Sequence, residues 1–177
     1  LYCDHYAFDG TYVVGSSGTD GSTGDRVETD QGRGERWGAE VKIDRRLFAR
    51  HFVSVGAEFR DVFRMEQRVF QDQFVVLDDD RTSNGGGIYV QDEFRIHPKL
   101  TLNLGVRHDR YESFGGTTNP RVAAIYNPQE KTTLKLLYGQ AFRAPNAYEL
   151  YFYDGTSLSA NPELRPETIK TTEAVVE

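Results

Sequence analysis

Apolar and polar residues alternate along several stretches of the chain, most regularly between residues 100 and 109. Every second residue from Leu100 to Val106 is apolar, and the residues between them are polar or glycine. Residues 37–44 and 52–60 show the same period of two. Successive side chains of a β-strand point to opposite faces, so this period predicts strands with one apolar face and one polar face.

Five further stretches alternate less regularly and bring the total to about eight strands. They are residues 1–13, 87–96, 121–127, 132–142 and 169–177. Asp92 interrupts the pattern, because it shares a face with apolar neighbours such as Val90 and Phe94. A position near a membrane interface, where a charge costs little, accounts for such an interruption.

The predicted connections alternate between short and long. Residues 45–50, 96–99 and 127–131 are tight turns with proline or polar residues. The long connections are residues 14–36, 66–86, 111–120 and 143–168. Tight turns at one end of a meander and long loops at the other are typical of outer-membrane barrels. The sequence therefore predicts an all-β fold, an antiparallel meander of about eight strands that is part of a larger transmembrane β-barrel.

Composition agrees with membrane-spanning strands rather than helices. Hydrophobic residues make up 38% of the chain and the mean hydropathy is −0.59. No stretch has the roughly 20 apolar residues of a transmembrane helix. Transmembrane strands are not detected by mean hydropathy, because their apolar and polar residues alternate. Aromatic residues near the predicted strand ends favour interfacial girdles: they are Tyr89, Phe94, Tyr111, Tyr126, Tyr138 and Phe142.

The charged and reactive residues indicate no catalytic or nucleic-acid site. A net charge of −6 argues against a nucleic-acid partner, which requires a basic face. Cys3 is the only cysteine, and the four histidines are scattered without the spacing of metal ligands. No nucleophile elbow occurs. We therefore predict a protein that is not an enzyme, with no cofactor and no metal site.

Three short motifs follow one another near the end of the chain. They are YGQAFRAP at 138–145, ELY at 149–151 and NPELRPE at 161–167. Pro145 lacks a backbone N–H and ends the strand before it, and the later prolines mark turns. In this order and spacing the motifs resemble the barrel of TonB-dependent outer-membrane receptors. The likeness extends over most of the chain from Trp37 onward.

The resemblance implies a function, a location and a larger protein. Such receptors import a scarce nutrient, such as an iron–siderophore complex, haem or a cobalamin, across the bacterial outer membrane. The implied partners are outer-membrane lipid, a small nutrient ligand such as a metal chelate, and TonB acting through a plug domain. Barrels of this kind have about 22 strands around the plug. Residues 1–177 are therefore interpreted as a partial barrel domain, a fragment from which the plug is absent.

Two sets of site residues follow from the resemblance. Residues just past the end of the predicted strand at 132–142 are candidate ligand contacts in the extracellular loops: Arg143, Asn146, Tyr148, Glu149 and Tyr151. Residues on the polar faces are candidate plug contacts in the lumen: Glu58, Arg60, Arg95, Arg107 and Arg121. The motifs at 138–151 and at 161–167 can instead serve only to end strands and fasten loops.

Two other classes of protein fit parts of the pattern. A small, complete outer-membrane barrel of eight strands, acting as an adhesin or structural anchor, fits the number of strands. A soluble β-sandwich that acts as a binding module requires the apolar faces of two sheets to meet.

Overall fold

The computed structural model describes residues 1–17, 23–155 and 157–177. It contains the eight predicted strands and one short helix. The elements are β1 (Tyr2–Ser17), β2 (Thr23–Leu47), β3 (His51–Gln71), β4 (Phe74–His97), β5 (Leu100–Tyr111), β6 (Gly115–Gln129), β7 (Thr132–Arg143), α1 (Ala147–Tyr151) and β8 (Glu167–Val176). No helix in the described part of the chain has the length and apolar character of a membrane span.

The strands form one sheet in the order β1-β2-β3-β4-β5-β6-β7-β8. This order confirms the predicted antiparallel meander. The sandwich alternative is wrong, because the described strands all belong to one sheet. The complete eight-stranded barrel is not favoured either, since β1 and β8 are the edges of this order and a closed barrel requires them to pair.

Strands β2, β3 and β4 are much longer than the sequence predicts. They have 25, 21 and 24 residues, whereas about 9–11 suffice to cross a bilayer. The predicted long loop at 66–86 is wrong, because β3 and β4 continue to a turn at Asp72, where φ is 53°. Most of the predicted loop at 14–36 is also strand, and its residues 18–22 lie outside the described residues. Neither tract shows a period of two: residues 14–36 are mostly polar or glycine, and the apolar residues of 66–86 are adjacent in the sequence, at 69–70 and 74–77.

The chain divides into two compact units. The first, here called the helix unit, comprises Leu1–Gly38, Asp61–Asn84 and Pro145–Leu164. The second, here called the strand unit, comprises Ala39–Arg60, Gly85–Ala144 and Arg165–Glu177. Strands β2, β3 and β4 contribute residues to both.

The strand unit keeps the predicted alternation, and its apolar face is exposed. Val41, Ile43 and Ile88 are each 64% exposed, and Leu104 is 41% exposed. The row that begins at Leu100 therefore does not pack against a second layer. A continuous apolar surface of this kind is suited to contact with lipid hydrocarbon.

The helix unit has a small core around the segment that follows β7. Val69 is fully buried, Leu150 is 4% exposed and Phe152 is 8% exposed. Asn146 caps α1 in a capping box with Glu149, which satisfies backbone N–H groups at the helix start. Pro145 follows the end of β7, as predicted.

The ladder between β6 and β7 is incomplete within the described residues. It begins at Arg121 and Gly139, although β6 itself starts at Gly115 and pairs with β5 from there. Pro120 cannot donate a backbone hydrogen bond at the point where the ladder stops. Three rings lie beside this gap: Phe142 on β7 is 6.0 Å from both Tyr111, the last residue of β5, and Phe114, in the turn before β6, measured between ring centroids. We call this part of the sheet the aromatic seam.

Candidate functional site

The polar face of the strand unit carries an arginine cluster, formed by Glu58, Arg60, Arg107 and Asp109. Arg107 Nη2 lies 2.7 Å from Glu58 Oε2 and 2.7 Å from Asp109 Oδ1. Arg60 Nη2 donates to the other oxygen of Glu58 at 3.2 Å. Two arginines and two carboxylates balance each other in charge. The cluster joins β3 to β5 at a level where the backbone of β4 lies between them.

Glycines make this close packing possible. A Cβ at Gly87 would collide with the side chains of Asp109 and Arg107. A Cβ at Gly56 would collide with the ring of Tyr89. Tyr89 donates from its hydroxyl to Glu40 Oε1 at 2.8 Å, and its ring centroid lies 5.8 Å from Arg107 Cζ. The expectation that Tyr89 belongs to an interfacial girdle is therefore wrong, because its side chain lies on the polar face.

Beside the cluster, two buried polar side chains have capacity for further hydrogen bonds. Asp109 is 1% exposed and its Oδ2 has no partner among the described residues. Asn119, the cross-strand partner of Arg107, is 8% exposed, and neither polar atom of its amide has a partner there. Both side chains line a groove of about 850 Å³. Buried polar groups are nearly always satisfied, so this groove is suited to a ligand, a polypeptide segment or ordered water.

The structure brings three of the five predicted plug-facing residues together. Glu58, Arg60 and Arg107 are members of the arginine cluster. Arg121 lines the same groove, and Arg95 is exposed, with its backbone N–H donating to the carbonyl of Arg50. Sequence reasoning missed Asp109 and Asn119. Alternation places Asp109 on the polar face but does not distinguish it from exposed polar residues. Asn119 falls in the predicted loop at 111–120, most of which is wrong because β6 begins at Gly115.

Asp92, the charge on the apolar face, has a specific partner. Its Oδ2 lies 2.7 Å from His51 Nδ1, and the His51 ring stacks on Phe94 with a centroid distance of 4.2 Å. His51 begins β3, and Phe94 is near the end of β4. The pair offsets the charge close to the ends of both strands.

Four of the predicted ligand contacts lie in α1 or at its cap. Asn146 Oδ1 accepts from the Glu149 backbone N–H, and Glu149 Oε2 accepts from the Asn146 N–H, both at 2.9 Å. Tyr148 is 52% exposed and stacks on Phe152. Tyr151 lies under Arg81, whose Cζ is 3.8 Å from the ring centroid.

Arg143, the fifth predicted contact, belongs to the strand unit. It makes a two-pronged hydrogen bond to Glu167 on β8, with distances of 3.1 and 3.0 Å. Both side chains are largely exposed, so this ion pair contributes little to stability.

Two glutamines of β3 fix the segment around α1. Gln67 Nε2 donates to the carbonyl of Ala147 at 3.1 Å, and Gln71 Nε2 donates to the carbonyl of Asp154 at 2.8 Å. We call Gln67, Gln71 and the contact of Arg81 with Tyr151 the loop anchors. They hold α1 on the helix unit, where its outer residues stay accessible.

Acidic side chains surround one edge of α1. Burial raises the pKa of Asp30, and the negative charges of Glu28 and Asp154 raise it further. Asp30 precedes the apolar row of β2, which begins at Trp37, so it lies outside the membrane-spanning part of that strand. Burial also raises the pKa of the Tyr148 hydroxyl, with Asp30 adding to the effect. Within the described ranges, no three His, Cys, Asp or Glu side chains are grouped so that they could hold a metal ion.

A family model described as TonB dependent receptor-like, β-barrel, matches residues 3–177. The chain therefore belongs to this family. Its place is the bacterial outer membrane, as the resemblance of the motifs predicts.

Two bacterial proteins are similar in sequence to parts of the chain. The iron-regulated outer membrane virulence protein of Vibrio cholerae serotype O1 is 29% identical over 85 residues, which is 45% of this chain and 13% of that protein. The ferric enterobactin receptor PirA of Pseudomonas aeruginosa is 34% identical over 62 residues, 35% of this chain and 8% of that protein.

Solved structures share the fold. The siderophore receptor PirA of P. aeruginosa aligns with a TM-score of 0.66 at 21% identity, covering 98% of this chain and 36% of that one. PirA of Acinetobacter baumannii aligns with a TM-score of 0.68 at 18% identity, covering 98% of this chain and 29% of that one. The chain thus spans about a third or less of the length of these proteins.

Proposed function

We propose that the chain is a barrel segment of an outer-membrane receptor that takes up a ferric siderophore. Uptake would be driven by TonB through a plug domain in another part of the protein, and residues 1–177 would form a partial barrel. The observation that carries this proposal is the family match over residues 3–177. The names of the relatives favour iron: one is iron-regulated and another is a ferric enterobactin receptor. Haem and cobalamin are the other nutrient classes that the family resemblance implies.

The proposed ligand contacts are Arg143 and the exposed side of α1. Tyr148 is half-exposed, and the capping box holds Glu149 in place. Arg143 offers a planar cation suited to carboxylate or catecholate oxygens. Because Glu167 already engages Arg143, ligand binding there would require an exchange of partners.

The proposed plug contacts lie on the polar face of the strand unit. Glu58, Arg60 and Arg107 bond largely to one another, whereas Asp109 and Asn119 have capacity left. A plug segment that presents backbone N–H and C=O groups, or a guanidinium, matches that capacity. We therefore add Asp109 and Asn119 to the predicted set, in which Arg95 and Arg121 remain.

Uptake of labelled iron tests the function directly. A host strain without its own siderophore receptors would express the full-length receptor, and ferric enterobactin, haem and cyanocobalamin would be offered separately. We expect uptake of a ferric siderophore that disappears when TonB is deleted. Uptake of cobalamin or haem alone would contradict the iron assignment.

Paired variants test the contact residues. Glu149→Ala removes both the charge and the capping bond, whereas Glu149→Gln keeps an acceptor for the capping box. Tyr148→Phe removes the hydroxyl and keeps the stack on Phe152. If Glu149 contacts ligand through its charge, both Glu149 variants weaken siderophore binding. If only Glu149→Ala does so, its role is to fold α1.

A further inference from the structure

The turn between β2 and β3 combines an unusual backbone with an unusual surface. Its central residues, Phe48 and Ala49, both have positive φ, 49° and 58°. Hairpin turns with two such residues favour Asn-Gly, because a Cβ disfavours the left-handed region. Phe48 is nevertheless 90% exposed and contributes nothing to a core. A strained position that holds a large exposed apolar ring suggests a partner outside the chain.

Three arginines flank this ring. Arg45, Arg46 and Arg50 are all exposed, and none makes an ion pair within the described residues. Asp44, the carboxylate adjacent to Arg45 in the sequence, is already engaged by Ser54 at 2.6 Å and Lys42 at 3.3 Å. Six residues of a chain with a net charge of −6 thus carry a local charge of +3.

The turn lies where the apolar row of β2 ends. Alternation puts Val41, Ile43 and Arg45 on one face, and the first two are each 64% exposed. Arg45 is two residues, about 7 Å, beyond Ile43. The hydrocarbon core is about 30 Å thick and the whole bilayer about 40–45 Å, so each headgroup layer is only several ångströms deep. Arg45 and Phe48 therefore fall within or at the edge of that layer, where cations and aromatic rings are favoured.

We propose that residues 45–50, here called the Phe48 turn, bind the headgroups of anionic phospholipid. The guanidinium groups of Arg45, Arg46 and Arg50 contact phosphate oxygens, and the ring of Phe48 enters the interface between headgroups and acyl chains. The proposal rests on the outer-membrane location of the chain and is independent of which nutrient the receptor carries.

Native mass spectrometry of the full-length receptor in detergent micelles tests the charge. The receptor is titrated with phosphatidylglycerol and, separately, with phosphatidylcholine. Each basic residue near an anionic surface contributes about a fivefold gain in affinity. We expect R45Q/R46Q/R50Q to weaken phosphatidylglycerol binding by roughly tenfold to a hundredfold and to leave phosphatidylcholine binding unchanged. Lys131→Gln, in a turn where Glu130 is its neighbour, is the matched control and should change neither.

The double variant F48N/A49G separates binding from folding. It supplies the residues that the turn geometry favours, so the folded barrel should resist heat at least as well as the parent. Phosphatidylglycerol affinity should nevertheless fall severalfold. A lower heat resistance would mean that Phe48 packs on the protein, and unchanged affinity in this variant and in the arginine variant would overturn the proposal.

A fluorescent variant covers the case in which the arginine variant does not fold. Phe48→Trp in vesicles should be quenched more by brominated phosphatidylglycerol than by brominated phosphatidylcholine. Equal quenching by the two lipids would show that the turn does not select charge. Absence of quenching would show that the ring does not enter the membrane.

Discussion

The arginine cluster and the loop anchors are held together by opposite means. Arg107 and Asp109 lie two residues apart on β5, Glu58 lies on β3, and the register of the sheet alone brings the three side chains together across β4. The two glutamines of the loop anchors bond to residues 80 and 83 positions away, and only the path of an irregular segment brings Gln67 to Ala147 and Gln71 to Asp154. Contacts set by register follow from a repeating pattern, whereas contacts set by a loop depend on individual side chains.

A charge on the apolar face of the strand unit tests the pattern most severely. Leu104→Arg should destabilise the folded receptor by about 2–4 kcal/mol, because arginine on the lipid face loses its hydration. The neighbouring variant Asn103→Arg, on the polar face, is the control. Loss of the compact band on SDS gels with rising temperature measures both. Equal behaviour of the two variants would contradict the assignment of the faces.

Removal of Asp109 should have the next largest effect. Asp109→Ala leaves Arg107 with Glu58 alone and should cost about 2 kcal/mol, the usual range for a hydrogen bond to a charged group. Asp109→Asn keeps an acceptor for Arg107 and should cost less. The same gel assay compares them. If Asp109→Ala is as stable as the parent, the cluster is an incidental surface network.

Loss of a loop anchor should act locally. Tyr151→Leu removes the contact with Arg81, which is worth about 0.5–1 kcal/mol, so the amides of α1 should exchange hydrogen about twofold to fivefold faster. Tyr151→Phe keeps the aromatic ring and should exchange like the parent. Faster exchange in both variants would indicate that the hydroxyl, rather than the ring, fixes the loop.

The smallest expected effect is a dependence of the loop on pH. The pKa of Asp30 is raised in the folded state, so the fold favours its neutral form. The ionised Asp30 carboxylate destabilises the fold. This destabilisation is absent below the pKa that Asp30 has in the unfolded chain and is complete above its raised pKa in the folded chain. Packing of α1 should therefore be tightest in acid and weaken as the pH rises through the raised pKa. Asp30→Asn should remove this trend, measured by hydrogen exchange corrected for intrinsic rates.

The regular part of the molecule could be predicted from the sequence because lipid and water impose a period of two. The strand boundaries at Leu100, Thr132 and Arg143 lie within one or two residues of the prediction. The extensions of β2, β3 and β4 in the helix unit could not be predicted, because their few apolar residues, such as Val69, do not alternate regularly with polar ones. The polar and glycine residues of these tracts favoured loops in the prediction, whereas in the structure their backbones pair as strands.

The candidate site was predictable in part for the same reason. Alternation identified Glu58, Arg60 and Arg107 on the polar face, and the register then joined them. It could not separate Asp109, which is almost fully buried, from Arg95, which is exposed, because both occupy the same kind of position. The partners of Tyr151 and Asp92 could not be predicted from the sequence, because each partner is a side chain far away along the chain.

The sheet is less stiff at the aromatic seam than where its strands are joined by a complete ladder of hydrogen bonds. Hydrogen bonds weaken steeply when their angle changes, whereas contacts between apolar rings tolerate sliding. Beyond Pro120, where the ladder between β6 and β7 stops, the ring of Phe142 on β7 contacts the rings of Tyr111 on β5 and Phe114 in the turn before β6. The two strands can shear there at a lower energetic cost than where the ladder is complete, so the sheet is most compliant beside the end of β7.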